Sequence, residues 1–176
     1  MKPVLMKYCE LVLVCMLSLL VSACSDSPEG TQRPPTVPSV SMSVSSESVN
    51  QGDILEIEIN VSDLAGVSYA AFDLSYDHSV IEYISAKEGA FFNRGKFEST
   101  KILVALENGT PGQLVIGITR LGSIGEISGR GTVVTLSFKA VGSGSSALVF
   151  DESRAFKNAD KQDIVASWEN KTITVL

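Results

Sequence analysis

Residues 55–61 read LEIEINV, and this short run decides the fold class of the chain. Its four apolar side chains alternate with two glutamates and one asparagine, a period of two that is typical of a strand with one buried face. The same alternation returns in FDLSY (72–76), QLVIGIT (113–119) and VTLSFK (134–139). Each run places its apolar residues on one side, so the pattern predicts β-sheets that cover a common core.

Glycine-containing stretches separate these runs, and glycine supplies the backbone freedom that tight turns need. They are QGD (51–53), AG (65–66), NRG (93–95), NGTPG (108–112), GRG (129–131) and GSG (142–144). No stretch holds a sustained helical period, and we interpret the ambiguous run Ser79–Ala86 as a short strand. About nine strands in roughly 137 residues predict an all-β, nine-stranded antiparallel sandwich over residues 40–176.

The amino terminus has the features of an export signal. Lys2 and Lys7 precede an almost wholly apolar stretch, residues 11–21, which is shorter than the about 20 residues that span a bilayer. The sequence VSAC (21–24) follows and resembles the lipobox of bacterial lipoproteins. That resemblance implies cleavage before Cys24, a diacylglycerol on its sulfur, and a place at the outer membrane facing the periplasm or the cell surface. The alternative is an ordinary signal peptide or signal anchor with an incidental cysteine.

Removing residues 1–23 changes the composition that remains. The chain has 176 residues, three cysteines, one histidine and a net charge of −6. Cys9 and Cys15 leave with the signal, so the exported domain has no disulfide. An acidic chain without a basic cluster is a poor nucleic-acid binder, and one histidine with one modified cysteine cannot build a typical zinc site. Residues 24–39 then carry four prolines and are expected to form a semi-rigid tether.

Five pieces of sequence, in this order, resemble a cohesin domain across residues 40–176. They are Gly52-Asp53, FDLSYD (72–77), VIEY (80–83), GAFF (89–92) and SGRGTVVTLSFKA (128–140). The resemblance implies a nine-stranded jelly-roll sandwich without catalytic activity. It also implies that the partner is a dockerin, a small calcium-loaded helical module, in a system that degrades polysaccharides. The fold is shared with carbohydrate-binding modules.

The chain departs from the cohesin pattern where a partner would bind. His78 replaces a usual proline, and Tyr69 and Ala71 occupy places that are polar in well-known cohesins. A flat face of small residues with one tyrosine suits packing against a helix. We therefore expect a partner-binding face, called the docking face below, made of Tyr69, Ala71, Asp73, Leu103, Ala105, Val115, Gly117 and Thr119.

The sequence offers little support for catalysis or for a cofactor. A Ser-His-Asp triad would need His78, which lies in a predicted turn. Asn158, Asp160, Gln162 and Glu169 loosely echo a calcium loop, but Asp163 stands where such a loop requires glycine, so a turn is the better interpretation. We expect no metal, no cofactor and no enzyme activity.

The sequence alone leaves two other functions open. A carbohydrate-binding module would need exposed aromatic rings, for which Tyr69 and Trp168 are the candidates, although Trp168 also suits a core or a sheet edge. A structural envelope lipoprotein would need no partner of the dockerin type. An enzyme ranks last, because no catalytic motif surrounds the carboxylates.

Overall fold

Strands and turns make up the computed structural model, which describes residues 36–94, 100–106, 110–120 and 125–176. The predicted signal, Cys24 and residues 24–35 of the tether lie outside the described residues. The strands are β1 Ser39–Val44, β2 Ser48–Val49, β3 Ile54–Val67, β4 Tyr69–Ser75, β5 Ile81–Glu88, β6 Thr100–Leu106, β7 Gln113–Arg120, β8 Ile127–Ala140, β9 Gly144–Phe150, β10 Ala155–Lys157, β11 Asp163–Ile164, β12 Ser167–Trp168 and β13 Lys171–Val175. Within these ranges no helix is long and apolar enough to cross a membrane.

Two sheets face each other across the core, which confirms the predicted all-β sandwich. The first sheet has the order β12-β1-β3-β8-β5, and the second has β11-β10-β4-β9-β13-β2 with β7 beside β4 and β6 beside β7. Nine of the described strands have five or more residues, as the sequence predicted. The four short ones, β2, β10, β11 and β12, are additions that their two or three residues were too few to signal.

Two of these short strands correct the expectation of a purely antiparallel arrangement. β12 pairs parallel with β1, and β2 pairs parallel with β13. The chain passes from the first sheet to the second five times, and two of these crossings, from β1 to β2 and from β12 to β13, join the strands of these parallel pairs. These two crossings run side by side in the same direction, so the strands at their ends meet as parallel pairs.

The centre of the first sheet is the antiparallel pair β3–β8, with fourteen residues in each strand. Its register sets Leu55 against Phe138 and Ile57 against Leu136, and all four side chains are fully buried. Each such burial stabilises the fold by about 1.5–3 kcal/mol. Glu56 lies between these positions and faces outward, so the alternation read from LEIEINV is confirmed.

β5 confirms the short strand expected from Ser79–Ala86, with bounds shifted to Ile81–Glu88. The turn before it is closed by Asp77, whose carboxylate accepts hydrogen bonds from the Ser79 hydroxyl (2.6 Å) and the Ser79 backbone N–H (2.9 Å). The hydroxyl contact is the main cause that lowers the pKa of Asp77 below its usual value. His78 is exposed in this turn, as the sequence predicted.

Gly89 follows β5 at a point where two backbones approach closely. It is buried, and its N–H donates to the carbonyl of Val133 at 3.0 Å. A Cβ atom at this position would lie 2.1 Å from the carbonyl oxygen of Thr132, whereas one at Gly125 would meet nothing within 4 Å. The backbone of β8 must therefore move to admit any side chain at residue 89.

We predict that Gly89→Ala lowers the free energy of unfolding by about 2 kcal/mol, because overpacking against backbone cannot be relieved by a rotamer change. Gly125→Ala is the matched control and should stay within about 0.5 kcal/mol of the wild type. Urea denaturation followed by circular dichroism measures both. Equal stability of the two variants would contradict the close approach at Gly89.

Candidate docking face

The structure brings the eight residues of the predicted docking face together on three neighbouring strands of the second sheet. The register of β4 against β7 pairs Tyr69 with Thr119, Ala71 with Gly117 and Asp73 with Val115. On the other side of β7, the register of β6 places Leu103 at the Gly117 position and Ala105 at the Val115 position. The face therefore consists of three rows that cross the strands.

The opposite side of β4 and β7 belongs to the core, which gives the docking face its outward direction. The intervening residues of β4 and β7 are at most 2% exposed; they are Ala70, Phe72, Leu74, Leu114, Ile116 and Ile118. Ala71 by contrast is exposed, and Val115 keeps 38% of its surface accessible. An apolar side chain that is open to water on a flat sheet is a surface that a partner can cover.

β10 extends the docking face by one strand, which the sequence did not signal. Its register adds Ala155 beside Ala71 and Lys157 beside Tyr69. The middle row then runs Ala155, Ala71, Gly117 and Leu103, and its first three residues are the smallest available. The only sequence signal for β10 is the alternation of Ala155 and Lys157 around the buried Phe156. Three residues are too few to distinguish a strand from a loop.

An ion pair lies at the Tyr69 end of the face. Lys157 Nζ is 2.8 Å from the carboxylate of Asp163 on β11. This hydrogen bond is the main cause that raises the pKa of Lys157 above its usual value, and burial opposes it in part. Lys157 therefore stays charged beside Tyr69 at neutral pH. Because the Asp163 side chain is 69% exposed, the pair adds little to stability.

The other end of the face carries carboxylates that are held by neutral donors. The Ser153 hydroxyl donates to Asp73 at 3.1 Å, and the Ser75 hydroxyl donates to Asp151 at 2.8 Å. The backbone N–H of Asp151 also donates to the carbonyl of Asp73 at 3.0 Å, which ties the two together. Hydroxyl and amide donors leave the negative charges in place, so this end of the face is acidic.

Trp168 belongs to an aromatic cluster. Its ring centroid lies 4.9 Å from that of Phe150 and 5.4 Å from that of Phe156, and its side chain is half-buried. The Arg154 guanidinium lies 5.8 Å above the Trp168 ring and donates to the carbonyls of Phe150 and Asp151. The ring packs on core residues in this way, so the core-edge interpretation of Trp168 fits the structure better than stacking on a saccharide.

Three of the four residues that echoed a calcium loop, Asn158, Asp160 and Gln162, lie in a closed turn between β10 and β11, whereas Glu169 lies between β12 and β13. The Asn158 amide donates to Gln162 Oε1 at 3.0 Å, and the backbone N–H of Gln162 donates to Asn158 Oδ1 at 2.8 Å. Lys161 adopts a positive φ of 64° to complete the turn. These oxygens stabilise the turn itself. In the described ranges no group of three or more His, Cys, Asp or Glu residues is placed to hold a metal ion.

Comparison with known families decides what this sandwich is. The cohesin-domain family model matches residues 40–175, more than three quarters of the chain. The chain belongs to the cohesin family. No curated protein sequence matches it.

Solved cohesins share this fold. A non-cellulosomal cohesin from the archaeon Archaeoglobus fulgidus is 19% identical with a TM-score of 0.65, and the match covers 80% of this chain and 92% of that one. CaCohA2 of Clostridium acetobutylicum, solved in complex with a CaDoc0917 variant, is 25% identical with a TM-score of 0.64 and coverage of 78% and 100%. The sixth cohesin of scaffoldin B from Acetivibrio cellulolyticus, solved with a mutant dockerin, is 21% identical with a TM-score of 0.64 and coverage of 80% and 100%. The likeness confirms the predicted jelly-roll fold.

We predict that Trp168→Ala lowers the free energy of unfolding of this cohesin by about 3 kcal/mol, since it removes the centre of the aromatic cluster. Tyr69→Ala, on the docking face, should cost about 1 kcal/mol or less. Urea denaturation followed by circular dichroism suits both, because Trp168 is the only tryptophan and its fluorescence is lost in the variant. A Trp168→Ala protein as stable as Tyr69→Ala would show that the ring does not belong to the core.

Proposed function

We propose that this cohesin domain is a non-catalytic module that captures a dockerin through the docking face. The observation that carries the proposal is the set of three contiguous cross-strand rows that the register of β4, β6 and β7 forms, with Ala71 and Val115 exposed on it. The Acetivibrio cellulolyticus relative was solved in complex with a dockerin, which supports the same class of partner here. The partner's own protein would then be held where this chain is anchored, which fits a role in polysaccharide degradation.

The shape of the face supports a helix as the element that is bound. Ala71 and Gly117 leave a shallow trough along the middle row, between Tyr69 on one side and Val115 on the other. Helix backbones pack closely only where the opposing side chains are small, so the trough admits a helix more readily than bulky residues would. Affinity would come from a few buried contacts of this kind rather than from total area.

The anchoring of the protein is a second part of the proposal. Cys24 would carry acyl chains at an outer membrane, and residues 25–39 would hold the domain away from the lipid surface. Two or more buried acyl chains give stable anchoring, whereas one chain binds reversibly. A docked partner would thereby be retained at the cell envelope.

Carbohydrate binding is the alternative function for this domain. Trp168 is engaged in the aromatic cluster, so Tyr69 is the one aromatic residue of the docking face with an outward position. A single tyrosine beside Lys157 is less than a stacking strip for a polysaccharide requires. The described residues therefore favour a protein partner.

Ala71→Arg should weaken binding of a calcium-loaded dockerin from the same genome by about 100-fold, because a long cationic side chain fills the trough. Ala65→Arg, at an exposed alanine of β3 in the first sheet, is the matched control and should bind as the wild type does. Isothermal titration gives both affinities. Absence of binding between folded wild-type protein and every dockerin of the genome would refute the proposal, as would an equal loss in both variants.

Replacing the proposed lipidation site tests the anchor. The wild-type protein expressed in a bacterial host should partition into the detergent phase of Triton X-114, and its mass should exceed that of residues 24–176 by the acyl groups. Cys24→Ser should move the protein to the aqueous phase without acylation. A wild-type protein that is found in the aqueous phase, with no added mass at Cys24, would contradict lipid anchoring.

A further inference from the structure

A cavity of about 330 Å³ lies at the β10–β11–β12 edge of the sandwich. Ala155, Ile164, Val165, Ala166 and Trp168 form its apolar part, and Glu152, Arg154 and Asp163 also line it. Val165 is 85% exposed, the highest value among the large hydrophobic side chains that the structure describes. An apolar side chain so open beside a concave apolar wall is a place where a partner's side chain gains by leaving water.

The cavity is continuous with the docking face. Ala155 is the end of the middle row, next to Ala71, and is at the same time part of the cavity wall. Asp163 also lines the cavity, and it pairs with Lys157, which lies beside Tyr69 on the docking face. An element that follows the middle row therefore arrives at the cavity without leaving the protein surface.

The dimensions of the middle row match a short helix. The row crosses four strands, so Leu103 and Ala155 are separated by three strand spacings, about 14 Å. A helix rises about 1.5 Å per residue, so about ten residues cover this length. A side chain at the end of such a helix would stand over the cavity.

The chemistry of the wall selects the kind of side chain that fits. The volume accommodates one large apolar group, and the five apolar lining residues offer it contact on several sides. The charges of Glu152 and Arg154 are opposite, and the Asp163 carboxylate is paired with Lys157, so the lining offers no unbalanced charge that would hold an ionic side chain. A saccharide would need an open aromatic ring, but Arg154 and Phe156 already lie close to the Trp168 ring, at 5.8 and 5.4 Å from its centroid.

We propose that this cavity is an anchor site for one large apolar side chain (leucine, methionine or phenylalanine in character) of the docked partner. The inference rests on the proposed function, because the same partner occupies the docking face and reaches the cavity along the middle row. Val165 is then a specificity-determining residue of the complex. Interfaces concentrate their binding energy in such filled pockets, so the site decides which partners bind tightly.

The test compares Val165→Asp and Val165→Lys with a control, Ile54→Asp. Ile54 is also an exposed large hydrophobic residue, at 66%, but it lies on β3 of the first sheet. Affinity for the calcium-loaded dockerin that binds the wild type is measured by isothermal titration. Both Val165 variants should bind at least about tenfold more weakly, since either charge removes the apolar contact, while Ile54→Asp should stay within about twofold.

The outcomes separate this proposal from the proposed function. Val165 variants that bind as the wild type does, while Ala71→Arg loses binding, would overturn the anchor site and leave the docking face intact. Weakening by only one of the two charges would show an electrostatic effect and would also overturn it. Sedimentation that shows a wild-type dimer lost in Val165→Asp would assign the cavity to a second copy of the chain. Absence of any dockerin binding to the wild type would overturn both proposals.

Discussion

The pairing of two fourteen-residue strands, Ile54–Val67 and Ile127–Ala140, is the constraint on which the rest of the structure depends. A slip of one residue in this register would turn Leu55, Ile57 and Phe138 toward water and bury Glu56 and Glu58 in their place. The cost of burying those charges makes any other register unfavourable. The second sheet packs on the resulting apolar face, and its own strands must direct their apolar residues inward to match.

The docking face follows from that inward orientation. Once Phe72 and Ile116 fill the core, Ala71, Asp73, Val115 and Gly117 are left outside on adjacent strands. Their small size makes the surface flat, and β10 continues it to a cavity at the sheet edge. The proposed docking face is thus the outward side of strands whose inward side holds the sandwich together.

The sequence predicted the parts of the fold that depend on alternation. Runs such as LEIEINV and VTLSFK carry enough apolar residues at period two to identify both the strand and its buried side. The eight docking-face positions, by contrast, came from the resemblance to cohesins rather than from the alternation. The short strands β10, β11 and β12 could not be predicted, because two or three residues hold no period. The environment of Trp168 could not be predicted for the same reason. Its neighbours Phe72, Phe150 and Phe156 become clear only when β4, β9 and β10 pack around it.

The position of the bound partner is the most direct test of this account. Backbone amide shifts of the isotope-labelled domain, recorded by NMR with and without a calcium-loaded dockerin from the same genome, locate the contact residue by residue. The account predicts that the largest changes fall on Tyr69–Asp73, Val115–Thr119 and Ala155–Lys157. Changes centred on the outward residues of the first sheet, such as Glu56, Glu58 and Thr135, would contradict it.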